Sequence, residues 1–216
     1  MHRRRRTALT VSAALLVAAP LLAACGNEAH PGAAAVVGGE RIEVSTVQAK
    51  VKDVRTAQAR SPQADQLIKD SGQLSRAKLY DLIVDEVVQR AADDAGITVS
   101  RKEIQEGRAA LAQQSGGEEQ LAGMYLQQRG VAPDQLNDVV RRDILVSKLA
   151  ADLGATNTPE GQEKLNRAFT AAAESLDIDV NPRFGAWDDK KLELGSYKAP
   201  WITQVSKEQE PVEAGA

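Results

Sequence analysis

The sequence predicts a mainly α fold: a helical bundle with a small β-hairpin near its start and a single strand near its end. Three observations carry this. Apolar residues recur with a helical period through most of residues 45–175. A Gly-Gly pair at 38–39 lies between two short β-prone runs. Asp177-Ile178-Asp179-Val180 alternates as a strand does. A lone strand needs a partner, so it is expected to pair with the hairpin and join the two ends of the bundle.

The hairpin takes Ala34-Ala35-Val36-Val37 and Glu40-Arg41-Ile42-Glu43-Val44. Ser45, with Gln48 three residues on, reads as a capping box that opens a helix to about Arg60, where Ser61-Pro62 ends it. A short helix is placed over Gln63 to Lys69. The clearest helix runs from about Ser75 to Ala95, with Leu79, Leu82, Ile83, Val87 and Ala91 on one face and Gly96 just past its end. Ile97-Thr98-Val99 is an extended link. Ser100 and Glu103 make a second capping box for a helix through about Gln114, with Ile104 and Leu111 on one face.

Gly116-Gly117 breaks that helix, and a short one follows from Glu118 to Arg129, stopped by Gly130. Pro133 sits where a first helical residue would, opening a helix to Leu153. Its apolar face is broad, and Ile144-Leu145-Val146 in a row suggests contact on more than one side. Thr158-Pro159 opens the last helix, to about Ser175, and Pro182 stops the strand that follows.

The chain has 216 residues, enough for one domain or at most two small ones. It divides into a leader at 1–24, a polar tether at 25–33, a folded domain at 34–202 and a disordered tail at 203–216. The leader holds four of the 27 basic residues (Arg3 to Arg6) and no acid, so the remainder carries 23 basic against 30 acidic residues, a net charge of −7. That balance suits a phosphate backbone poorly, so no nucleic acid is expected as a partner.

A single cysteine excludes an internal disulfide or a cysteine-based zinc finger. The two histidines, His2 and His30, both precede the folded domain, which excludes a Ser-His-Asp triad there. No P-loop or dinucleotide fingerprint occurs. Asp177, Asp179, Asn181 and Asp188 echo the spacing of a calcium loop, but the sixth position, where that loop needs Gly, is Pro182. No catalytic residue, metal or cofactor is expected, and an enzyme is not. Asp93-Asp94 and Asp188-Asp189 read as solvated charges.

The leader has a basic start, an apolar run from Thr7 to Leu22, and the ending Leu22-Ala23-Ala24-Cys25. This resembles the lipobox of bacterial lipoproteins. The resemblance implies that the signal peptidase recognises Leu22, Ala23 and Ala24 and cuts before Cys25, whose thiol is diacylated with palmitate-type chains. Each buried CH₂ contributes about 0.8 kcal/mol, and two chains give stable anchoring where one does not. The domain is then expected on the extracytoplasmic face of the cell membrane, held by lipid. An ordinary cleaved signal and an uncleaved anchor are the alternatives; the latter is at the short limit for spanning and contains Pro20.

The order of elements resembles the SurA and PrsA chaperone families. Val36-Val37-Gly38-Gly39-Glu40-Arg41-Ile42 before a helix is similar to their opening. Leu79 to Ala95, then Gly96-Ile97-Thr98-Val99-Ser100 and Glu103-Ile104, looks like their central segment. Leu121 to Leu136, with Gly130-Val131 and Pro133, continues it, and Asn181-Pro182-Arg183-Phe184-Gly185 with Trp187 is similar to a closing segment. The resemblance implies a SurA N-terminal, trigger-factor-like fold that binds unfolded or extended exported polypeptides without ATP.

Two departures stand out. Full members carry a parvulin prolyl-isomerase domain whose site uses His, and here the break at Gly154–Thr158 is too short for one and no His follows His30. Gly38 also replaces the family's Asn in the first turn. No isomerase activity is therefore expected.

Met124, Tyr125 and Leu126 on the short helix are candidates for contact with a client, as are Phe184 and Trp187 near the end; the competing reading packs the first three into the bundle. Four of the seven aromatics (Phe184, Trp187, Tyr197, Trp201) fall late in the chain, where clamping the C-terminal segment to the bundle is the stronger expectation. The alternative role is an accessory lipoprotein whose helical cradle holds one folded envelope partner.

Overall fold

The computed structural model describes residues 32–69, 73–155 and 158–196. The leader with Cys25, the tail at 203–216, and Tyr197 and Trp201 lie outside the described residues. Strand β1 (Ala33–Val37) and strand β2 (Glu40–Glu43) form the expected hairpin. Gly38 and Gly39 have φ of +60° and +82°, as a two-residue turn with both central residues at positive φ requires. The turn also abuts a later element. A Cβ on Gly38 would stand 2.9 Å from Leu176 Cδ2, so both the backbone angle and the close approach favour glycine.

Six helices follow in order: α1 (Val44–Ala59), α2 (Ala64–Lys69), α3 (Leu74–Asp94), α4 (Arg101–Ser115), α5 (Glu118–Arg129) and α6 (Leu136–Asp152). Helix α7 (Pro159–Leu176) and strands β3 (Asp179–Val180), β4 (Ala186–Asp188) and β5 (Glu193–Gly195) complete the described chain. Strand β1 is central in a sheet of order β2-β1-β3, antiparallel on both sides. Ala35 faces Val180, and Asn181 secures the join: its N–H donates to the Ala34 carbonyl at 3.0 Å and its Nδ2 to the Ala33 carbonyl at 3.1 Å. The expected closure of the two ends is thus present.

The Ser100–Glu103 capping box forms in full at the start of α4, and Thr158 caps α7 by accepting from Gly161 N–H at 3.2 Å. The expected box at Ser45 does not form. Helix α1 starts at Val44, its N-cap is Glu43, and no side chain caps it. The Val44 N–H instead donates to the Gly32 carbonyl at 2.7 Å, so the ladder runs straight into the helix and Ser45 falls inside the first turn.

Pro133 opens a 3-10 turn (Pro133–Gln135) rather than α6 itself. Asp177 is the left-handed cap of α7, with φ of +45°, so the strand begins two residues later than expected. The β4–β5 hairpin was not expected at all. Its turn is built by Asp188, whose Oδ1 accepts from the N–H groups of Lys190 and Lys191 at 3.0 and 3.1 Å. Asp189 accepts from Trp187 Nε1 at 2.8 Å. These two aspartates are structural, not merely solvated.

Helix α3 runs through the middle of the packing. Leu79, Ile83, Val87 and Ala91 are buried in the main core with Leu149 of α6, Leu165 and Ala172 of α7, and Ala34 and Ala35 of β1. Each such Leu, Ile or Val contributes about 1.5–3 kcal/mol by leaving water. On its other side α3 meets Leu145 through Val88 and Ala92. Helix α6 is indeed touched on two sides: Leu145 faces α3, while Ile144 and Val140 press against Gly107 of α4, where a Cβ would come within 3.2 Å of both.

Candidate functional site

Helices α6 and α7 both pack against α3 but meet each other sparingly. The result is a cleft of about 600 Å³ over one stripe of α3. Val84, Val87 and Val88 make its floor, Val146 and Ala150 of α6 one wall, and Leu165 and Phe169 of α7 the other. The β4–β5 hairpin closes one end with Trp187 and Leu192. Trp187 leans on Tyr80, with ring centroids 6.1 Å apart and planes at 38°. Polar groups are confined to a few positions, among them Arg142, Asp143, Ser147 and Gln162. An apolar hollow with a few polar groups is the ordinary form of a binding site.

Arg142 belongs to a second feature as well. It lines a cavity of about 30 Å³ between α1, α3 and α6. Lys78, Asp81 and Asp85 lie on one stripe of α3, and Asp138 and Arg142 on one stripe of α6. Arg142 Nη1 donates to Asp85 Oδ1 at 2.8 Å, Lys78 Nζ to Asp81 Oδ2 at 2.7 Å, and Lys50 Nζ to Asp138 Oδ2 at 2.7 Å. Lys78 is only 3% exposed, a burial a lysine tolerates only when paired.

Burial pushes Asp85 up to about 6, against the pull of Arg142 and with help from the nearby Asp81 and Asp138 charges. Three cations face three carboxylates, so the network is formally neutral. It fastens α3 to α6 along one side of the cleft.

The expected contact residues separate. Trp187 lines the cleft. Phe184 does not; it is 9% exposed and sits in the main core. Together Phe184 and Trp187 clamp the closing segment to the bundle. Tyr125 and Leu126 are 9% and 7% exposed and belong to two small clusters near α5. Met124 is 37% exposed, on α5, away from the cleft lining. Cys25 and Leu22 to Ala24 lie outside the described residues.

Most of the cleft escaped the sequence reading. Its signal was a second apolar stripe on α3, Tyr80-Val84-Val88 at intervals of four, beside the Leu79-Ile83-Val87-Ala91 stripe that fills the core. Leu165 and Phe169 repeat the same interval on α7.

Among the described residues no group of three or more His, Cys, Asp or Glu could hold a metal ion. No helix among them is long and apolar enough to cross a membrane. A family model described as "SurA-like N-terminal domain" matches residues 1–150. The match takes in the first hairpin, α1 to α5 and nearly all of α6; α7 and the later strands lie beyond it. No curated protein and no solved structure matches the chain.

Proposed function

The chain belongs to the SurA-like N-terminal domain family, a chaperone-type family and not an enzyme class, and on that premise we propose that it is a lipid-anchored extracytoplasmic holdase. It binds unfolded or extended segments of exported polypeptides, without ATP and without isomerase activity. The observation that carries this reading is the open apolar cleft over Val84 and Val88, rimmed by polar groups. A client needs no particular sequence to enter it, only apolar side chains and a flexible backbone.

The magnitudes suit transient holding. Each large apolar side chain buried in the cleft gains about 1.5–3 kcal/mol. Association costs about 4–15 kcal/mol in lost freedom, so several side chains must enter together and the net affinity is modest. Only residues 153–158 separate α6 from α7, which supports a domain without an inserted isomerase. The Leu22-Ala23-Ala24-Cys25 ending supports acylation at Cys25 and a position at the outer face of the membrane.

The test is to titrate the purified protein into a refolding, aggregation-prone client and follow light scattering. Suppression at near-stoichiometric ratios without nucleotide is expected. No suppression of any client, with recovery of a single stoichiometric partner by crosslinking on the membrane, would replace this reading with that of an accessory lipoprotein.

A further inference from the structure

The cleft does not stand alone on α3. Ser196, the last described residue of the folded domain, lines a hollow of about 450 Å³ together with Arg76 at the start of α3. A second hollow of about 400 Å³ lies between the first half of α3 and β5; it shares Arg76 with the first and Tyr80 with the cleft. The three lie in series on a path along one face of α3, from the point where the described chain leaves β5 to the apolar floor at Val84 and Val88, crossed by the Arg76–Leu194 hydrogen bond and the Tyr80–Trp187 contact.

The reach fits. Arg76 and Val88 are twelve residues apart on one helix, about 18 Å at 1.5 Å per residue. An extended chain covers that in about six residues at roughly 3.3 Å each. Six residues beyond Ser196 is Ile202, directly after Trp201. The stretch is also biased to be extended: Pro200 fixes its own φ and disfavours the helical region for Ala199. In an extended chain Tyr197, Ala199, Trp201, Thr203 and Val205 share one face.

We propose that residues 197–205 dock along this path as an internal occupant, with Trp201 in the cleft, and compete there with clients. The competition rests on the holdase reading; the docking does not. The occupant supplies an indole for an apolar hollow already edged by Tyr80 and Trp187.

The experiment uses the full-length chain carrying Trp187→Phe, which leaves Trp201 as the single tryptophan. Its emission is expected to be blue-shifted, protected from acrylamide, and independent of protein concentration. Adding Val146→Glu on the cleft wall is expected to move it to the red and expose it to quencher. Ser147→Tyr, at an exposed rim position, replaces that variant if it does not fold.

Solvent-like emission at the outset, or no response to either cleft variant, would overturn the docking. A shift that grows with protein concentration would assign the occupant to a second copy and overturn it too. Trp201→Ala in the otherwise native chain is then expected to suppress aggregation at a several-fold lower ratio to client. If the fluorescence results hold and that ratio does not move, the docked segment stands and the cleft is not the client site.

Discussion

The backbone N–H of Gly38 donates to the carbonyl of Leu176 at 2.6 Å. One residue from the first turn of the domain and one from the end of α7 are thereby locked together beside the β1–β3 pairing. Gly38 has φ of +60°, and its missing Cβ leaves space for Leu176 Cδ2. Gly38→Ala is expected to cost about 1–2 kcal/mol, the ordinary penalty for a side chain in the left-handed region, since the Leu176 side chain can turn aside. Thermal denaturation checks it; an unchanged Tm would show that the turn relaxes freely.

Gly185 is more constrained. It has φ of +133°, and an added Cβ would lie 2.3 Å from the backbone oxygen of Gly195, which cannot swing away as a side chain does. Gly185→Ala should detach the β4–β5 hairpin while the helices stay folded. Amide exchange in residues 186–195 is expected to rise sharply, with the α3 core unchanged. Wild-type protection in that hairpin would refute the expectation.

Asp85 sets a pH dependence whose sign is the reverse of the usual carboxylate. Its folded value of about 6 lies above the ordinary 3.8, so the folded state holds the proton more tightly than the unfolded chain does. The stability Asp85 contributes is complete below about 3.8 and is lost as pH rises through about 6. Asp85→Asn keeps an acceptor for Arg142 and removes the buried charge. It is expected to raise stability at pH 7 by about 1–2 kcal/mol, since each tenfold difference in proton affinity between the folded and unfolded chain is worth about 1.4 kcal/mol. The gain should fade as the pH falls from 6 to 4. Denaturant melts across that range decide it, and a variant less stable than the native chain at pH 7 would show that the Arg142 pair outweighs desolvation.

Val84 lies on the cleft floor and is half-buried, so a charge there faces the hollow more than the core. Val84→Asp is expected to weaken aggregation suppression several-fold while circular dichroism stays native. Full suppression by a folded variant would remove the floor of the cleft from the binding surface.

Much of the helical frame was legible because its signals are local and redundant. Periodicity and a glycine stop coincide at α3, a cap and a glycine stop at α4, and the Ser100–Glu103 box forms with Glu103 held well below its usual range, at about 2, by Lys148 and Ser100. The pairing of β3 was legible because an isolated strand has few places to go.

The β4–β5 hairpin was not legible, since its strands have three residues each and its turn uses Asp188 with Leu192 at φ +54° rather than glycine. Ser45 misled because a cap signal cannot show that a backbone bond from Val44 already serves that end. The cleft was hidden for a different reason. An apolar stripe on a helix has the same spacing whether a neighbour covers it or not, and only the splay of α6 from α7 leaves Tyr80 and Val84 of that stripe partly open.

The position of β1 has a mechanical consequence. The chain enters the fold at Gly32 and passes at once into the central strand, flanked by β2 and β3. Consider a pull applied at Ala33 and directed along β1. It loads the hydrogen bonds to both neighbours in shear, many at a time, instead of peeling them one by one. The two strands that flank β1 share such a load, and the cleft is lined by other elements.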